Sequence, residues 1–281
     1  MIIFSEKCLE YIFPGHPESP DRVRVVYEYL AKKRYKFEEA KSCQKEDILL
    51  VHTSSHFERV KNNNFFDPDT PNLENIHIYA MLSAGGAIQA AKKALSGENS
   101  FSLLRPPGHH AGRNYLGGFC YFNNIAIATT WALGKVDKVA IVDFDGHHGN
   151  GTEDIFRGER RVLYFSLHQS PAYPGTGLRS KGNALNFPLS PGCEEPEFMR
   201  FFLEGIEKVR EFSPSLIAIS AGFDAHRSES LLSLNLETET YFKIGKGIAT
   251  LNKPVFAVLE GGYHEKMPFC VDNFLRGLGI R

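Results

Sequence analysis

Six short apolar runs, each ending abruptly in a polar loop, constrain this chain more than any other feature. Residues 2–4, 101–104, 139–142, 162–165, 216–219 and 255–259 have the length and apolar character of buried strands. Helix-length stretches lie between most of them. In residues 19–33, SPDRVRVVYEYLAKK, Ser19 is placed to cap a helix and Pro20 to occupy its first position, where a missing N–H costs nothing. Residues 194–212 are amphipathic in the same way, and 74–95, 124–133 with Gly134 as a stop, 238–251 and 270–278 complete the set. Alternation of this kind predicts an α/β fold with parallel strands and helices on both faces.

Five of the runs feed loops dense in polar chemistry: RPPGHH (105–110), DFDGHHGNG (143–151), SLHQ (166–169), SAGFDAH (220–226) and EGGYH (260–264). Seven of the eleven histidines lie in these loops. In open parallel sheets ligands bind beyond the carboxyl ends of the strands, so the five loops are expected to converge on one site.

Within DFDGHHGNG, side chains of an extended chain alternate faces, which puts Asp143, Asp145 and His147 in one row with Phe144 turned away. Carboxylates and an imidazole without cysteine suit zinc or another borderline divalent ion at a catalytic centre, where three protein ligands leave a position open for water. Two of the row are candidate ligands, and Asp224 in AGFDAH is the natural third. A lone Asp at a strand end is more often a turn or cap residue; the convergence of five loops favours the ligand role.

The remaining composition excludes several classes. The formal net charge of −1 gives no bulk attraction to nucleic acid or to an anionic membrane. No stretch has the roughly 18 apolar residues of a membrane span, and the first residues lack a signal-peptide pattern. Cys8, Cys43, Cys120, Cys193 and Cys270 are scattered, odd in number and never spaced CxxC, so a reducing cytoplasm is expected rather than a disulfide framework or thiolate zinc site. No repeat or long linker divides the chain, and residues 1–281 read as a single catalytic domain. The segment 62–72, NNNFFDPDTPN, is a loop excursion.

Together HPESPDR, RPPGHHAG, GGFCYFNN, VDFDGHHGNGTEDIF, SLHQ, YPGTG, SAGFDAH and LEGGY resemble the zinc-dependent histone deacetylase family, including its bacterial and archaeal branch and the acetylpolyamine amidohydrolases. The resemblance runs from about His16 to Tyr263 in the family's order. It implies a single-domain, arginase-like three-layer fold with a mostly parallel sheet of about eight strands. It assigns a Zn2+ ion, with Fe2+ as an alternative, to Asp145, His147 and Asp224. His110 becomes the general base and acid and His109 its electrostatic partner, supported by Asn150 and Asp143 respectively. Asn at position 150 sides with the class II and acetylpolyamine branches. Tyr263 becomes the donor to the developing oxyanion.

The same resemblance places Gly118, Phe119, Tyr173 and Leu231 along the substrate tunnel. A structural K+ falls to carbonyls around Asp143, Asp145 and His147 with Ser166 and Leu167, and Arg22 becomes a buried arginine. His148, His168, His226 and His264 are read as supporting residues rather than ligands. The implied activity is hydrolysis of the amide of an acylated primary amine, an acyl-lysine first and an acetylpolyamine or other small amine as the alternative. Tyr173, where Phe is usual, alters tunnel polarity, Gly146 replaces a usual larger residue, and apolar Leu231 leans toward acyl-lysine. A binuclear manganese ureohydrolase and a non-catalytic acyl-group binding protein are the further readings. Neither direct nucleic-acid nor membrane contact is expected, and the oligomeric state stays open.

Overall fold

The computed structural model describes residues 1–281, and in it all six apolar runs contribute strands. The first half comprises β1 (Ile2–Phe4), α1 (Pro20–Lys32), β2 (Phe37–Glu39), α2 (Lys45–Ile48), α3 (Ser54–Lys61), α4 (Ile76–Leu95), β3 (Ser100–Ser102) and α5 (Asn124–Leu133). The second half comprises β4 (Val139–Asp143), α6 (Asn150–Phe156), β5 (Val162–Gln169), β6 (Ala184–Leu189), α7 (Glu195–Phe212), β7 (Leu216–Ala221), α8 (Thr240–Ala249), β8 (Val255–Leu259) and α9 (Met267–Gly277). The eight strands form one sheet in the order β2-β1-β3-β8-β7-β4-β5-β6, and every ladder is parallel.

Helices cover both faces, and the alternation within β3 shows how. Phe101 reaches Phe274 of α9 on one face, while the Ser102 side chain lies beneath Gly86 of α4 on the other. α4 and α5 pack together on that second side; α8 packs on α9 and α7 on the first. The central strands are buried on both faces, so β4, β7 and β8 carry continuous apolar runs, as parallel strands require.

Several boundaries depart from the sequence reading. Ser19 and Pro20 open α1 as expected, but the Ser19 side chain makes no capping hydrogen bond. β3 ends at Ser102, with the Leu103 N–H giving a last bond to the Ile3 carbonyl, and the helix expected from 74 begins at Ile76 because Asn75 adopts a left-handed φ of 61°. β2, β6, α2, α3 and α6 are additions. No helix is long and apolar enough to cross a membrane.

The ladders align the polar loops. Asp143 stands beside Ser166 of β5 and Ser220 of β7, and Ala221 beside Leu259 of β8. The carboxyl ends of β3, β4, β5, β7 and β8 therefore deliver their loops to the same end of the sheet.

Candidate active site

The row Asp143, Asp145, His147 is not an extension of β4. The strand ends at Asp143, and each carboxylate then accepts the backbone N–H two residues on, Asp145 to Asp143 Oδ1 at 3.2 Å and His147 to Asp145 Oδ1 at 2.9 Å. These turns, common for Asp because its side chain reaches its own backbone, split the row. Asp143 meets His109, while Asp145 and His147 turn to Asp224. Phe144 points away, as alternation predicts, into an aromatic cluster with Phe223, Tyr241 and Phe274.

Asp145, His147 and Asp224 offer one nitrogen and two carboxylate oxygens within 4.8 Å of one another. His147 Nδ1 lies 2.7 Å from Asp224 Oδ2 and 3.3 Å from Asp145 Oδ1. Both aspartates are fully buried. Their other oxygens are committed, Asp145 Oδ2 to the Gly261 N–H and Asp224 Oδ1 to the Gly146 N–H, each at 2.7 Å. Burial and the nearby Asp145 charge push Asp224 up to about 7. Burial opposes the His147 cation, but the two carboxylates outweigh it and push its pKa up to about 10. Two buried like charges facing one imidazole are stabilised by a cation at their centre, and the oxygen and nitrogen donors fit a divalent metal. At Gly146 a Cβ would come within 2.3 Å of Leu232 Cδ1, so Leu232 fills the space left by the missing larger residue.

The histidines of RPPGHH stand beside this cluster, with ring centres 4.0 Å apart. His110 Nδ1 is 2.8 Å from Asn150 Oδ1; the amide oxygen can only accept, so the proton sits on Nδ1 and Nε2 keeps its lone pair. Burial, then the His109 and His147 imidazoles, holds His110 well below the usual histidine range. His109 Nδ1 donates to Asp143 Oδ2 at 3.1 Å. Burial opposes the His109 cation, yet the charges of Asp145, Asp143 and Glu260 outweigh it and push its pKa up to about 10. One histidine is thus tuned neutral and its neighbour charged.

Gly118, Phe119, Tyr173 and Leu231 line one cavity of about 220 Å³ together with His109, His110, Asp145, His147 and Tyr263. Tyr173 meets His110 edge-on at 5.0 Å, and Phe119 meets Tyr263 at 5.6 Å. Gly118 has φ +54°, and a Cβ there would lie 2.4 Å from His110 Cδ2. Phe119 also has a left-handed φ of 68°, costly for a bulky residue at about 1–3 kcal/mol. Its N–H donates to Thr70 Oγ1 and its ring packs against His16 and Tyr263, which hold it there. The Tyr263 hydroxyl makes no hydrogen bond within the chain, and burial raises its pKa well above the usual phenol value.

The residues expected to hold a monovalent cation, Asp143, Asp145, His147, Ser166 and Leu167, sit on or just beyond the adjacent ends of β4 and β5. Arg22 is buried, its guanidinium 4.7 Å from the Tyr263 ring centre and its Nε donating to the Gly262 carbonyl. The other four histidines are engaged elsewhere. His148 lies between Thr176 and Glu153, His168 between Ser166 and the Gly177 carbonyl, and His226 stacks on His264 at 4.5 Å.

Several contributors were invisible in the sequence. The Tyr164 hydroxyl donates to Asp143 Oδ2 at 2.9 Å, fixing the partner of His109. Fully buried Glu260 accepts the N–H groups of Gly108 and His109 and the Ser220 hydroxyl, tying the histidine loop to the sheet. Arg105, opening the same loop, is fully buried and pairs with both Glu18 oxygens at 2.7 Å. Exposed Asp69 stands at the cavity mouth.

A family model described as the histone deacetylase domain matches residues 16–278. A probable deacetylase of Archaeoglobus fulgidus is 39% identical over 290 residues, covering 93% of this chain and 80% of that protein. The crystal structure of the HDA15 HD domain superposes with a TM-score of 0.91 at 33% identity, covering 99% of this chain and 90% of the other. An acetylpolyamine aminohydrolase from Burkholderia pseudomallei superposes with a TM-score of 0.88 at 26% identity, covering 99% and 98%.

Proposed function

The chain belongs to the histone deacetylase family, and from that premise we propose that it is a zinc-dependent deacylase hydrolysing the amide of an acylated primary amine, foremost an acyl-lysine. One observation carries the reading. Asp145 and His147, with Asp224 Oδ2 2.7 Å from His147 Nδ1, face one cavity with a neutral imidazole, a charged imidazole and an unpaired phenol.

Asp145, His147 and Asp224 would hold a divalent ion, Zn2+ by preference and Fe2+ as the alternative, which would supply Lewis acidity toward the acyl carbonyl. His110 receives a proton from the attacking water at Nε2 and passes it to the departing nitrogen, so that amide and water become carboxylate and amine. Asn150 keeps that lone pair aimed inward without adding charge. His109, held charged by Asp145 and Asp143, stabilises the negative charge that develops on oxygen as the water attacks. Tyr263 donates its hydroxyl to the oxygen of that carbonyl, a contribution worth a few kcal/mol in comparable sites. Gly118 offers its carbonyl to the substrate N–H, and Phe119 and Tyr173 flank an aliphatic stem. Carbonyls around Asp143, Asp145, His147, Ser166 and Leu167 would hold a K+ ion, which would steady the loop that carries two of the ligands.

Asp69 favours a second reading, an acetylpolyamine or other small acylated amine, because a carboxylate at the mouth suits a second cationic nitrogen. A panel of acyl-lysine peptides and acylpolyamines, compared by kcat/KM with zinc and with iron, decides between them. Higher values for the polyamines would replace the first reading. Tyr263→Phe is expected to keep metal and substrate binding while losing about 100-fold or more in kcat. Unchanged turnover in that variant would remove Tyr263 from its role.

A further inference from the structure

Between the cavity mouth and Tyr263 lies a carboxylate that the mechanism above leaves unused. Glu229, in the segment joining β7 to α8, is only 9% exposed. Its Oε1 accepts backbone N–H bonds from Ser230 at 2.7 Å and from Leu231 at 3.2 Å. Its Oε2 accepts the backbone N–H of Tyr263 at 2.8 Å. One side chain therefore grips both a wall of the mouth and the residue that carries the unpaired phenol.

Tyr263 needs such a grip. It follows Gly261 and Gly262, and Gly262 has a φ of +115°, a region that side chains other than glycine rarely adopt. A glycine pair is a permissive tether, and the phenol at its end forms no hydrogen bond that would orient it. Upstream, the tether is fixed where the Gly261 N–H donates to Asp145 and where Arg22 Nε donates to the Gly262 carbonyl, and Arg22 and Phe119 pack on the Tyr263 ring. Downstream, the Tyr263 amide has Glu229 as its partner, and bonds of this kind to an ionised acceptor are among the stronger ones.

We propose that Glu229 is a positioning residue that locks Tyr263 in its reactive orientation and couples that orientation to the Leu231 wall. The proposal rests on the deacylase reading of the site. It predicts that the effect of Glu229 on kcat runs through the Tyr263 hydroxyl, while its hold on Leu231 bears on the tunnel wall.

A double-mutant cycle in the zinc-loaded protein, assayed on an acetyl-lysine peptide, tests it. Glu229→Ala is expected to lower kcat by about 10- to 100-fold with little change in KM, the scale of a misplaced reactive group. In a Tyr263→Phe background the same substitution is expected to cost nothing further; independent, additive losses would overturn the proposal. Hydrogen exchange of residues 260–264 gives a readout separate from activity. It should accelerate in Glu229→Ala, and unchanged exchange would overturn the clamp. If the Ala variant does not fold, Glu229→Gln serves, because its single accepting oxygen can keep only one arm. Exchange should then rise at 230–231 or at 263, and no rise at either refutes the clamp. A wild-type protein inactive on every acylated amine would refute the deacylase reading, while exchange still decides the clamp.

Discussion

Acidification from pH 7 to pH 5 is expected to destabilise the protein through His52, at a distance from the candidate metal ligands. His52 is buried, its ring centre 4.8 Å from that of His56 and tilted by 30° to it. Its Nδ1 lies 2.9 Å from the Gly112 carbonyl and so carries the proton, leaving Nε2 to accept the Asn123 N–H at 2.9 Å. Protonating Nε2 would set hydrogen against hydrogen. Burial, reinforced by His56, accordingly pushes the His52 pKa down to about 3, against about 6.5 in an unfolded chain. A histidine depressed on folding is protonated first in the unfolded state. Its contribution is therefore present above pH 6.5 and is lost as pH falls toward 3. Integrated from pH 7 to pH 5, the loss is about 2 kcal/mol, a large share of a typical domain's stability. The figure hardly changes if the folded value is about 4, because at pH 5 the folded imidazole is neutral either way. Urea denaturation of wild type and His52→Gln at both pH values measures it. The variant should lose about 2 kcal/mol less than wild type on acidification; equal losses would refute the assignment, since other titrating groups cancel in the comparison.

Three further outcomes are expected. Asp224→Ala should retain its fold by circular dichroism but lose the divalent metal on dialysis, measured by elemental analysis; stoichiometric metal in the variant would unseat Asp224 as a ligand. Gly118→Ala places a methyl group 2.4 Å from His110 Cδ2 at a left-handed φ, and should lower kcat/KM by about 100-fold with metal retained. Normal activity there would show that His110 tolerates displacement. Glu18→Ala strands the Arg105 guanidinium in the interior and should cost about 3–5 kcal/mol in chemical denaturation. A loss under about 1 kcal/mol would mean that water or a rearrangement reaches Arg105.

The parts of this molecule legible in the sequence are those whose physics is local. β4, β7 and β8 are buried on both faces and so appear as unbroken apolar runs. β2, reading FEE, and β6, reading ALNFPL, are edge strands; one is half exposed and the other contains Pro188, which only an edge tolerates. Neither carries an apolar run to notice. α6 was hidden because Asn150 and its neighbours read as a motif rather than as a helix start. Within the site, ligand-type side chains announced themselves by spacing, and all three proposed ligands come together. Glu229 and Glu260 did not, because the bonds that tie them to the site go to backbone N–H groups, of Tyr263 more than 30 residues away and of Gly108 and His109 more than 150 away, and a backbone amide leaves no mark in a sequence. Asp69 was passed over for a related reason: it lies in a loop with no periodicity, and only the fold brings it to the mouth.

The strand order carries a consequence for how the chain comes to be folded. β8 is the last strand in the sequence yet lies in the middle of the sheet, between β3 and β7. Before it inserts, β2-β1-β3 and β7-β4-β5-β6 share no ladder. The histidine loop belongs to the first group and the proposed metal ligands to the second. β8 is thus a keystone: its late, long-range pairing closes a loop of about 150 residues between β3 and its partner, a slow class of event in folding. During synthesis the two half-sheets emerge with apolar edges exposed, and the candidate site assembles only when the final strand bridges them.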